Sequence, residues 1–301
     1  METRVLPFTD RTIAEAARLI LAGSPVGVPT ETVYGLAGDA TNSEAVARIY
    51  EAKGRPSFNP LIVHVPDLAS AERVGDFSAE ARDLAEKHWP GPLTLVVPLR
   101  EGAAIASIVT AGLPTVALRV PAHEAMQALL RAVARPLGAP SANASGSISP
   151  TRAEHVLKSL GGRIPLIIDA GPTERGIEST IVGVTGGRLR LLRPGPIGVD
   201  AEPVTGSRIE APGQFAGHYA PSKPLRPNAA EARTDEYWIG FGAIAGNSSL
   251  SPSGDLVEAA ARLFDLLHEA DASAKPRIAV APVPDEGLGQ AINDRLRRAS
   301  A

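Results

Sequence analysis

The chain has 301 residues, of which 44% are hydrophobic and 21% are charged, the balance of an ordinary globular protein. It contains no cysteine, which excludes disulfide bonds, thiolate metal sites and cysteine nucleophiles. The net charge of −3 argues against a protein whose main task is to coat nucleic acid or an anionic membrane, although it leaves room for a local basic pocket. Because the sequence lacks a long apolar stretch and an apolar leader, we expect a soluble, cytoplasmic protein.

Short apolar runs alternate with helical patterns through the first 160 residues, which is typical of an α/β fold. The predicted strands lie at 25–28, 61–65, 94–99 and 115–120, with a further short apolar run at 137–139. The predicted helices lie at 43–53, 78–89, 124–134 and 151–160, the last with Pro150 in its first turn. Residues 164–193 predict three more strands, and Thr185-Gly186-Gly187 predicts a hairpin between the last two.

From about residue 195 to 228, proline and glycine recur with few apolar runs between them, and a second unit follows. Strands at 237–241 and 277–281 alternate there with helices at 255–270 and 288–298, which predicts a small parallel sheet. We therefore predict a twisted mixed sheet with helices in residues 1–205, a linker in 206–228, and a small Rossmann-like α/β domain in 229–301.

The standard catalytic motifs give little support to nucleotide hydrolysis, zinc chemistry or hydride transfer. The sequence lacks a P-loop and a His-Glu-x-x-His helix, and its six histidines are scattered. The loop from Gly240 to Gly246 resembles a dinucleotide-binding turn, but its last glycine comes one residue late. An ordinary turn is the favoured interpretation of that loop.

Candidate ligand-binding residues cluster in segments that follow predicted strands or helices. Lys53 and Arg55 enter a loop bounded by prolines, where two cations suit phosphate oxygens, although they could simply complement a helix end. Arg119 and Arg193 each end a predicted strand, where they could face a ligand crevice or solvent. Ser141 lacks the setting of a hydrolase nucleophile, so we interpret its loop as a hydrogen-bonding site or a plain turn.

Taken together, these segments carry a resemblance to a known family. The matching motifs, in chain order, are PTETVYGL at 29–36, KGRPSFNPLIVHV at 53–65, PGPLTLV at 90–96, TVALRVP at 115–121, PSANASG at 140–146, ESTIV at 178–182, LRPG at 192–195, PGQFAGHYAP at 212–221 and EGLGQAINDRL at 286–296. The sequence resembles the Sua5/YrdC/YciO family in its two-domain Sua5 type. Two departures stand out: Phe215 and Ala216 precede Gly217 and His218 where the family often has cations, and Ala37 stands where it commonly has glycine.

The resemblance implies a YrdC-like catalytic domain and a nucleotidyl transfer that forms threonylcarbamoyl-AMP and pyrophosphate from L-threonine, bicarbonate and ATP. It implies Mg²⁺ as the partner of ATP, and hand-over of the product to the machinery that makes threonylcarbamoyladenosine in tRNA, with direct tRNA binding left open. By resemblance, the ATP-binding residues are Arg55, Asn59, Thr115, Ser141, Ser149, Arg193 and Tyr219. By resemblance, the L-threonine-binding residues are Thr32, His64, Arg119, Ala139 and Ser179, while Lys53 and Arg55 take the catalytic role.

Three other functions stay open at this stage. An RNA-binding module without catalysis would need a basic face that the net charge of −3 makes less favourable. A carbamoyl-transfer domain of the hydrogenase-maturation kind shares the fold, but such proteins carry cysteine zinc fingers. A nicotinamide oxidoreductase would depend on the late glycine loop alone. For the 212–221 segment we predict a strap that closes across a nucleotide pocket.

Overall fold

In the computed structural model, which describes residues 1–204, 210–213 and 217–301, the first two-thirds of the chain forms one large sheet flanked by helices. Its strands are β1 (Arg4–Pro7), β2 (Val26–Pro29), β3 (Tyr34–Asp39), β4 (Ile62–His64), β5 (Leu93–Pro98), β6 (Thr115–Arg119), β7 (Leu137–Gly138), β8 (Leu166–Asp169), β9 (Thr180–Thr185), β10 (Arg188–Arg193) and β11 (Glu202–Pro203). Its helices are α1 (Asp10–Leu21), α2 (Ser43–Lys53), α3 (Leu68–Ala71), α4 (Ala79–His88), α5 (Glu124–Val133) and α6 (Ala153–Leu160), with one 3-10 turn at Ser107–Val109.

The large sheet is mixed, as predicted. Its strand order is β1-β8-β2-β3-β7-β4-β6-β5-β9-β10-β11. Neighbours are parallel at β1–β8, β8–β2, β4–β6, β5–β9 and β10–β11, and antiparallel at the other joints. Strands such as β2 and β4 are buried along their whole length, because helices and loops cover both faces. This explains why they are continuous apolar runs in the sequence.

The last third of the chain forms a second, smaller sheet. It contains β12 (Leu225–Arg226), β13 (Glu236–Gly240), β14 (Ser248–Ser249) and β15 (Arg277–Val280), together with α7 (Leu256–Ala272) and α8 (Leu288–Ala299). The order is β12-β15-β13-β14, and every neighbouring pair is parallel, which confirms the predicted parallel α/β unit. Its apolar core extends into the first unit, because Val33, Ile148 and Ile177 belong to the same buried cluster.

Most predicted elements are present with small shifts at their ends. Helix α2 begins and ends where it was predicted, because the Asn42 side chain accepts hydrogen bonds from the first-turn amides and Gly54 ends the helix. The predicted hairpin joins β9 to β10. Helix α6 begins at Ala153, two residues late, so Pro150 precedes the helix rather than occupying its first turn.

Seven strands and helices of the described residues were not predicted: β1, α1, β3, α3, β11, β12 and β14, and neither was the 3-10 turn at Ser107–Val109. The loop from Gly240 to Gly246 leads from β13 to β14 and not into a helix, so it lacks the helix N-terminus of a dinucleotide-binding turn. Strand β12 lies inside the predicted linker and pairs with β15, so the second sheet includes residues before 229. The domain bounds themselves stay a prediction. Phe215 and Ala216 lie outside the described residues. In the part of the chain that the structure describes, no helix is both long and apolar enough to span a membrane.

Candidate functional site

A cavity lies where strands β4 and β6 end side by side. His64 is the last residue of β4, Arg119 is the last residue of β6, and the two are partners in the sheet register. Both side chains are almost fully buried and line the cavity. The other walls come from the loop before β3, Arg55 after helix α2, the loop after β7, Glu178 before β9, the last residue of β10 and the linker. Eight segments of the described chain therefore meet at this cavity.

Eight of the thirteen predicted site residues, which are the twelve predicted to bind ATP or threonine together with Lys53, line this cavity. They are Thr32, Arg55, His64, Arg119, Ala139, Ser141, Arg193 and Tyr219. The structure thus brings together both sets of predicted residues at a single site, while their individual roles stay predictions.

Four more of the predicted residues lie directly behind the lining. Lys53 is buried and donates short hydrogen bonds to the carbonyl oxygens of Ser141 and Asn143, so it holds the Ser141 loop against helix α2. The Asn59 carbonyl oxygen accepts from Arg55 Nε at 3.2 Å.

Ser149 and Ser179 support charged residues of the lining. The Ser149 hydroxyl donates to a carboxylate oxygen of Glu178. Arg193 donates from Nη2 to the Ser179 hydroxyl at 3.1 Å and from Nε to the Ser179 carbonyl at 3.0 Å. These contacts orient the lining side chains.

Thr115 is the exception among the predicted residues. It begins β6, whereas Arg119 ends that strand at the cavity, so four residues of extended chain separate them, roughly 13 Å. It is not among the cavity-lining residues of the described chain. Thr115 does not lie beside the other predicted residues at the cavity. Its assignment to ATP binding therefore stays a prediction.

The cavity wall is strongly cationic. Burial lowers the pKa of Arg55 to about 10, and burial also lowers the pKa of Arg193. Burial lowers the pKa of Lys53 well below its usual range, and the Arg55 charge adds to the effect. The charged forms of these side chains are destabilised by burial and by the neighbouring positive charges. An anionic ligand would relieve both effects, which is the electrostatic signature of a phosphate or carboxylate site.

Arg119 has a buried acidic neighbour, Glu31. Their nearest atoms, Arg119 Nη2 and Glu31 Oε1, are 2.7 Å apart, and both side chains are almost fully buried. Within the described residues, neither carboxylate oxygen of Glu31 makes an aligned hydrogen bond. Burial, reinforced by the Arg119 charge, lowers the pKa of His64 to about 3, so this imidazole is neutral at pH 7. The Nη2 group of Arg119 also makes no aligned hydrogen bond within the described residues, so this guanidinium can donate to a ligand in the cavity.

The described part of the linker contributes a further wall of the cavity. Pro212, Gly213, His218 and Tyr219 all line it. The buried Tyr219 hydroxyl and His218 Nδ1, like His64 Nδ1, have no hydrogen-bond partner among the residues that the structure describes. Buried polar atoms are nearly always paired in proteins. Unpaired atoms on both walls therefore indicate that a polar ligand fits between them.

Two charged residues of the site were missed by the sequence analysis. Glu178 lines the cavity, and the ESTIV motif contains it, so its position directly before Ser179 was the available signal. Burial raises the pKa of Glu178, but Arg295 and Arg193 outweigh burial and hold it below its usual value. Arg295 of helix α8 is the other missed residue, and it reaches Glu178 from the second unit. Nothing local in the sequence indicated that contact.

Known proteins of similar sequence match the whole length of the chain. A family model described as "Telomere recombination", named for Sua5, YciO and YrdC, matches residues 18–195. A second model, described as "Threonylcarbamoyl-AMP synthase, C-terminal domain", matches residues 177–301. The chain belongs to the Sua5/YrdC/YciO family. Within that family, the threonylcarbamoyl-AMP synthase of Bacillus subtilis is 39% identical over 99% of this chain and 95% of its own length.

A solved structure of the Sua5/YrdC/YciO family shares the two-unit architecture. The crystal structure of Pyrococcus abyssi Sua5 complexed with L-threonine superposes with a TM-score of 0.89 at 36% identity, covering 99% of this chain and 97% of that one. By contrast, full-length HypF matches with a TM-score of 0.54 at 19% identity, over 60% of this chain and 28% of its own. That likeness shows a shared fold alone.

Proposed function

We propose that this protein is a threonylcarbamoyl-AMP synthase, which joins L-threonine, bicarbonate and ATP into threonylcarbamoyl-AMP and pyrophosphate. The similarity to threonylcarbamoyl-AMP synthases over the whole chain carries this proposal. The cavity supports it, because buried cations and unpaired polar atoms belong to residues that line one cavity. Such a site suits a polyanion together with a small zwitterion.

The nucleotide end of the cavity is proposed to lie at Arg55, Arg193, Ser141 and the linker residue Tyr219. The two arginines would neutralise phosphate charge, and the Tyr219 ring and hydroxyl would contact the nucleotide from the linker side. Lys53 would act by holding the Ser141 loop, given its bonds to that loop. For Asn59, Ser149 and Thr115 we keep the proposal of ATP binding from the family resemblance.

The amino-acid end is proposed to lie at Arg119, His64 and Thr32, with Ala139 and Ser179 beside them. Arg119 would pair with the threonine carboxylate, which a guanidinium can bind through two parallel hydrogen bonds. The neutral His64 imidazole and the Thr32 hydroxyl would offer hydrogen bonds to the substrate hydroxyl and amine. The two ends share one cavity, so a carbamate formed on threonine would lie close to the nucleotide phosphates.

The proposed chemistry has two steps. The threonine ammonium group first loses a proton, the resulting amine attacks the bicarbonate carbon, and loss of water leaves a carbamate. A carbamate oxygen then bonds to the α-phosphorus of ATP as the bond to pyrophosphate breaks, which makes the reaction a nucleotidyl transfer. Phosphoryl chemistry of this kind needs positioning and charge neutralisation more than a covalent nucleophile. The arginines at the cavity supply both.

Mg²⁺ is proposed to enter as the partner of ATP. Mg²⁺ keeps several water ligands and is usually held by substrate phosphates with one or two carboxylates. Glu178 is the carboxylate in the lining, and its two oxygens already bind Ser149 and Arg295. We therefore expect the phosphate oxygens to hold the ion. We also propose a cytoplasmic location and hand-over of the product to the tRNA-modifying machinery.

The test is pyrophosphate release from ATP with L-threonine and bicarbonate supplied one at a time. We expect release to require both co-substrates. Pyrophosphate release that is independent of threonine would overturn the proposal, and salt-sensitive RNA binding without turnover would favour an RNA-binding module instead.

Two substitutions map the ends of the cavity. Arg55→Ala should raise the KM for ATP about tenfold or more, and Arg119→Ala should do the same for threonine, because each removes a charge-assisted contact. Arg82→Ala is a matched control, since Arg82 is half-exposed on helix α4 and pairs with Glu72. If both cavity substitutions left both KM values unchanged, the proposed site would be wrong even if the activity were present.

A further inference from the structure

Arg295 is a fully buried arginine that the second unit directs into the first. It lies on helix α8, and its side chain is 0% exposed. A buried guanidinium is costly unless it is well paired, so its partners indicate what it is there to hold. Those partners are its neighbour Asp294 on the same helix, together with Glu178 and Pro194, which both lie in the first unit and more than one hundred residues away.

Three pieces of the cavity wall meet at this guanidinium. Arg295 Nε donates to Glu178 Oε2 at 2.9 Å, and Nη1 donates to the Pro194 carbonyl oxygen at 2.8 Å. Its guanidinium carbon lies 5.3 Å from the centre of the Tyr219 ring, within cation–π range. Glu178 and Tyr219 line the cavity, and Pro194 follows the lining residue Arg193.

Each of these pieces needs an external restraint. Tyr219 adopts a positive φ of 66°, an uncommon backbone conformation for a residue other than glycine. The Tyr219 ring contacts both the Arg295 guanidinium and the Phe264 ring, whose centre is 5.6 Å away. Glu178 is a buried carboxylate that needs a cation, and Arg295 supplies it together with the Ser149 hydroxyl. Arg295 therefore fixes both the linker and the carboxylate.

We propose that Arg295 is a positioning residue for the nucleotide end of the cavity: from the second unit, it holds Glu178, the Pro194 carbonyl and the Tyr219 ring where ATP binds. This inference rests on the proposed function, because it takes that end of the cavity to be the ATP site. It assigns the second unit an indirect part in nucleotide binding, through residues that Arg295 holds, because Arg295 itself does not line the cavity among the described residues.

The competing explanation is that Arg295 only joins the two units. A second ion pair between the units distinguishes the two explanations. Arg152 of the first unit donates to Asp265 of helix α7 through two hydrogen bonds of 2.7 and 3.0 Å. Neither residue lines the cavity. If Arg295 acted only by joining the units, loss of the Arg152–Asp265 pair would have the same kinetic effect. If it positions the site, only Arg295 variants would change ATP binding.

The experiment compares Arg295→Lys and Arg295→Met with Asp265→Asn and Arg297→Met. Arg297 is exposed two residues further along the same helix, so it controls for loss of an arginine from α8. KM for ATP and for threonine is measured from pyrophosphate release, and ATP binding is measured directly by calorimetry without threonine. We expect both Arg295 variants to weaken ATP binding about tenfold or more while KM for threonine changes less than about twofold.

Each outcome separates this inference from the proposed function. ATP binding that stays within about twofold in Arg295→Met, or an equal rise of both KM values, would overturn the positioning role. So would an equal loss of ATP affinity in Asp265→Asn. If Arg295→Met failed to fold, Arg295→Lys, which keeps the charge but not the planar fork, would decide by the same readouts. Threonine-independent pyrophosphate release would overturn the proposed function alone, since the calorimetric comparison does not depend on turnover.

Discussion

At the scale of single residues, the Arg119–Glu31 pair makes a sharp prediction about the ligand-free protein. Both side chains are almost fully buried, and Glu31 supplies the countercharge for Arg119. Removing one partner of a buried ion pair leaves the other charge unpaired, which costs about 3 kcal/mol or more. Glu31→Gln should therefore lower the free energy of unfolding by roughly that amount, measured by urea denaturation.

Threonine should reverse that loss in part. If the threonine carboxylate binds Arg119, it supplies the missing charge, so threonine should raise the melting temperature of Glu31→Gln more than that of the unsubstituted protein. Glu174→Gln, an exposed change in a neighbouring loop, controls for loss of an acidic residue. A threonine-induced shift no larger than in the unsubstituted protein would contradict carboxylate binding at Arg119.

A pair of stacked histidines between the units predicts how stability varies with pH. The rings of His155 and His268 lie 3.8 Å apart. Burial lowers the pKa of His155 to about 3, helped by His268, Arg152 and Lys158 and opposed by Asp265. Burial lowers the pKa of His268 to about 4. The contact of His268 with the Ser149 carbonyl oxygen opposes this shift, as do the nearby carboxylates of Asp265 and Asp271, whereas the charge of Lys158 adds to it.

Because both folded values lie below the unfolded value of about 6.5, the unfolded chain binds more protons as the pH falls below that value. The stabilisation is fully present above about pH 6.5 and is lost progressively between there and about pH 3. Urea denaturation at about pH 7.5 and about pH 5 should show lower stability at the acidic value, and His155→Gln should reduce that difference. His88→Gln, at a partly exposed helix end, should reduce it less. An unchanged difference in His155→Gln would contradict the buried, neutral state of His155.

At the scale of elements, helix α2 and the turn that ends it place Arg55 at the cavity. Gly54 ends the helix at φ 59° and ψ 38°, and a Cβ there would meet no atom within 4 Å. Alanine would therefore cost only the strain of the left-handed conformation, about 1 kcal/mol, and asparagine would cost less. Urea denaturation of Gly54→Ala and Gly54→Asn tests this order. Equal destabilisation by both substitutions would show that side-chain bulk, and not backbone conformation, determines the stability cost at this turn.

The same scale explains how far the sequence could predict the fold. Helix α2 was predicted to the residue because its cap and its apolar spacing are local signals. Strand β3 was missed, because Tyr34–Asp39 contains no β-branched residue and becomes a strand only through pairing with β2 and β7. Strand β12 has two residues, too few for any periodicity, and depends on β15 for its existence.

The candidate site shows the same division between local and distant information. The residues that line the cavity and were predicted, such as Arg55 and His64, stand in motifs of several residues that can be recognised in the sequence alone. Arg295 also stands in such a motif, at 286–296, but its contact with Glu178 could not be predicted, because the two residues are 117 positions apart and only the fold brings them together. Lys53 was recognised as functional, but its contacts with the Ser141 loop needed the structure.

At the scale of the whole molecule, the two units form one structure and not two independent ones. The buried cluster around helix α7 includes Ile148 and Ile177 of the first unit, and Arg152 and Arg295 carry ion pairs across the boundary. Burial of apolar side chains across a boundary couples the unfolding of both sides. At Gly176, the backbone of the first unit lies close to the backbone of helix α7 at this boundary.

Gly176→Ala should therefore disturb both units at once. Gly176 has φ 67°, and a Cβ there would lie 2.2 Å from the carbonyl oxygen and 2.5 Å from the Cα of Ala261 on helix α7. Relief of that clash requires helix α7 or the Gly176 loop to move, and helix α8, which carries Arg295, packs against helix α7. Gly171→Ala is a matched control in the same loop, because Gly171 also has a positive φ, 81°, but a Cβ there meets nothing within 4 Å.

We expect Gly176→Ala to cost about 2 kcal/mol more than the control by urea denaturation and to weaken ATP binding, which the control leaves intact. Equal costs in the two variants would mean that the boundary yields to a methyl group without strain, and that the second unit can shift freely against the cavity.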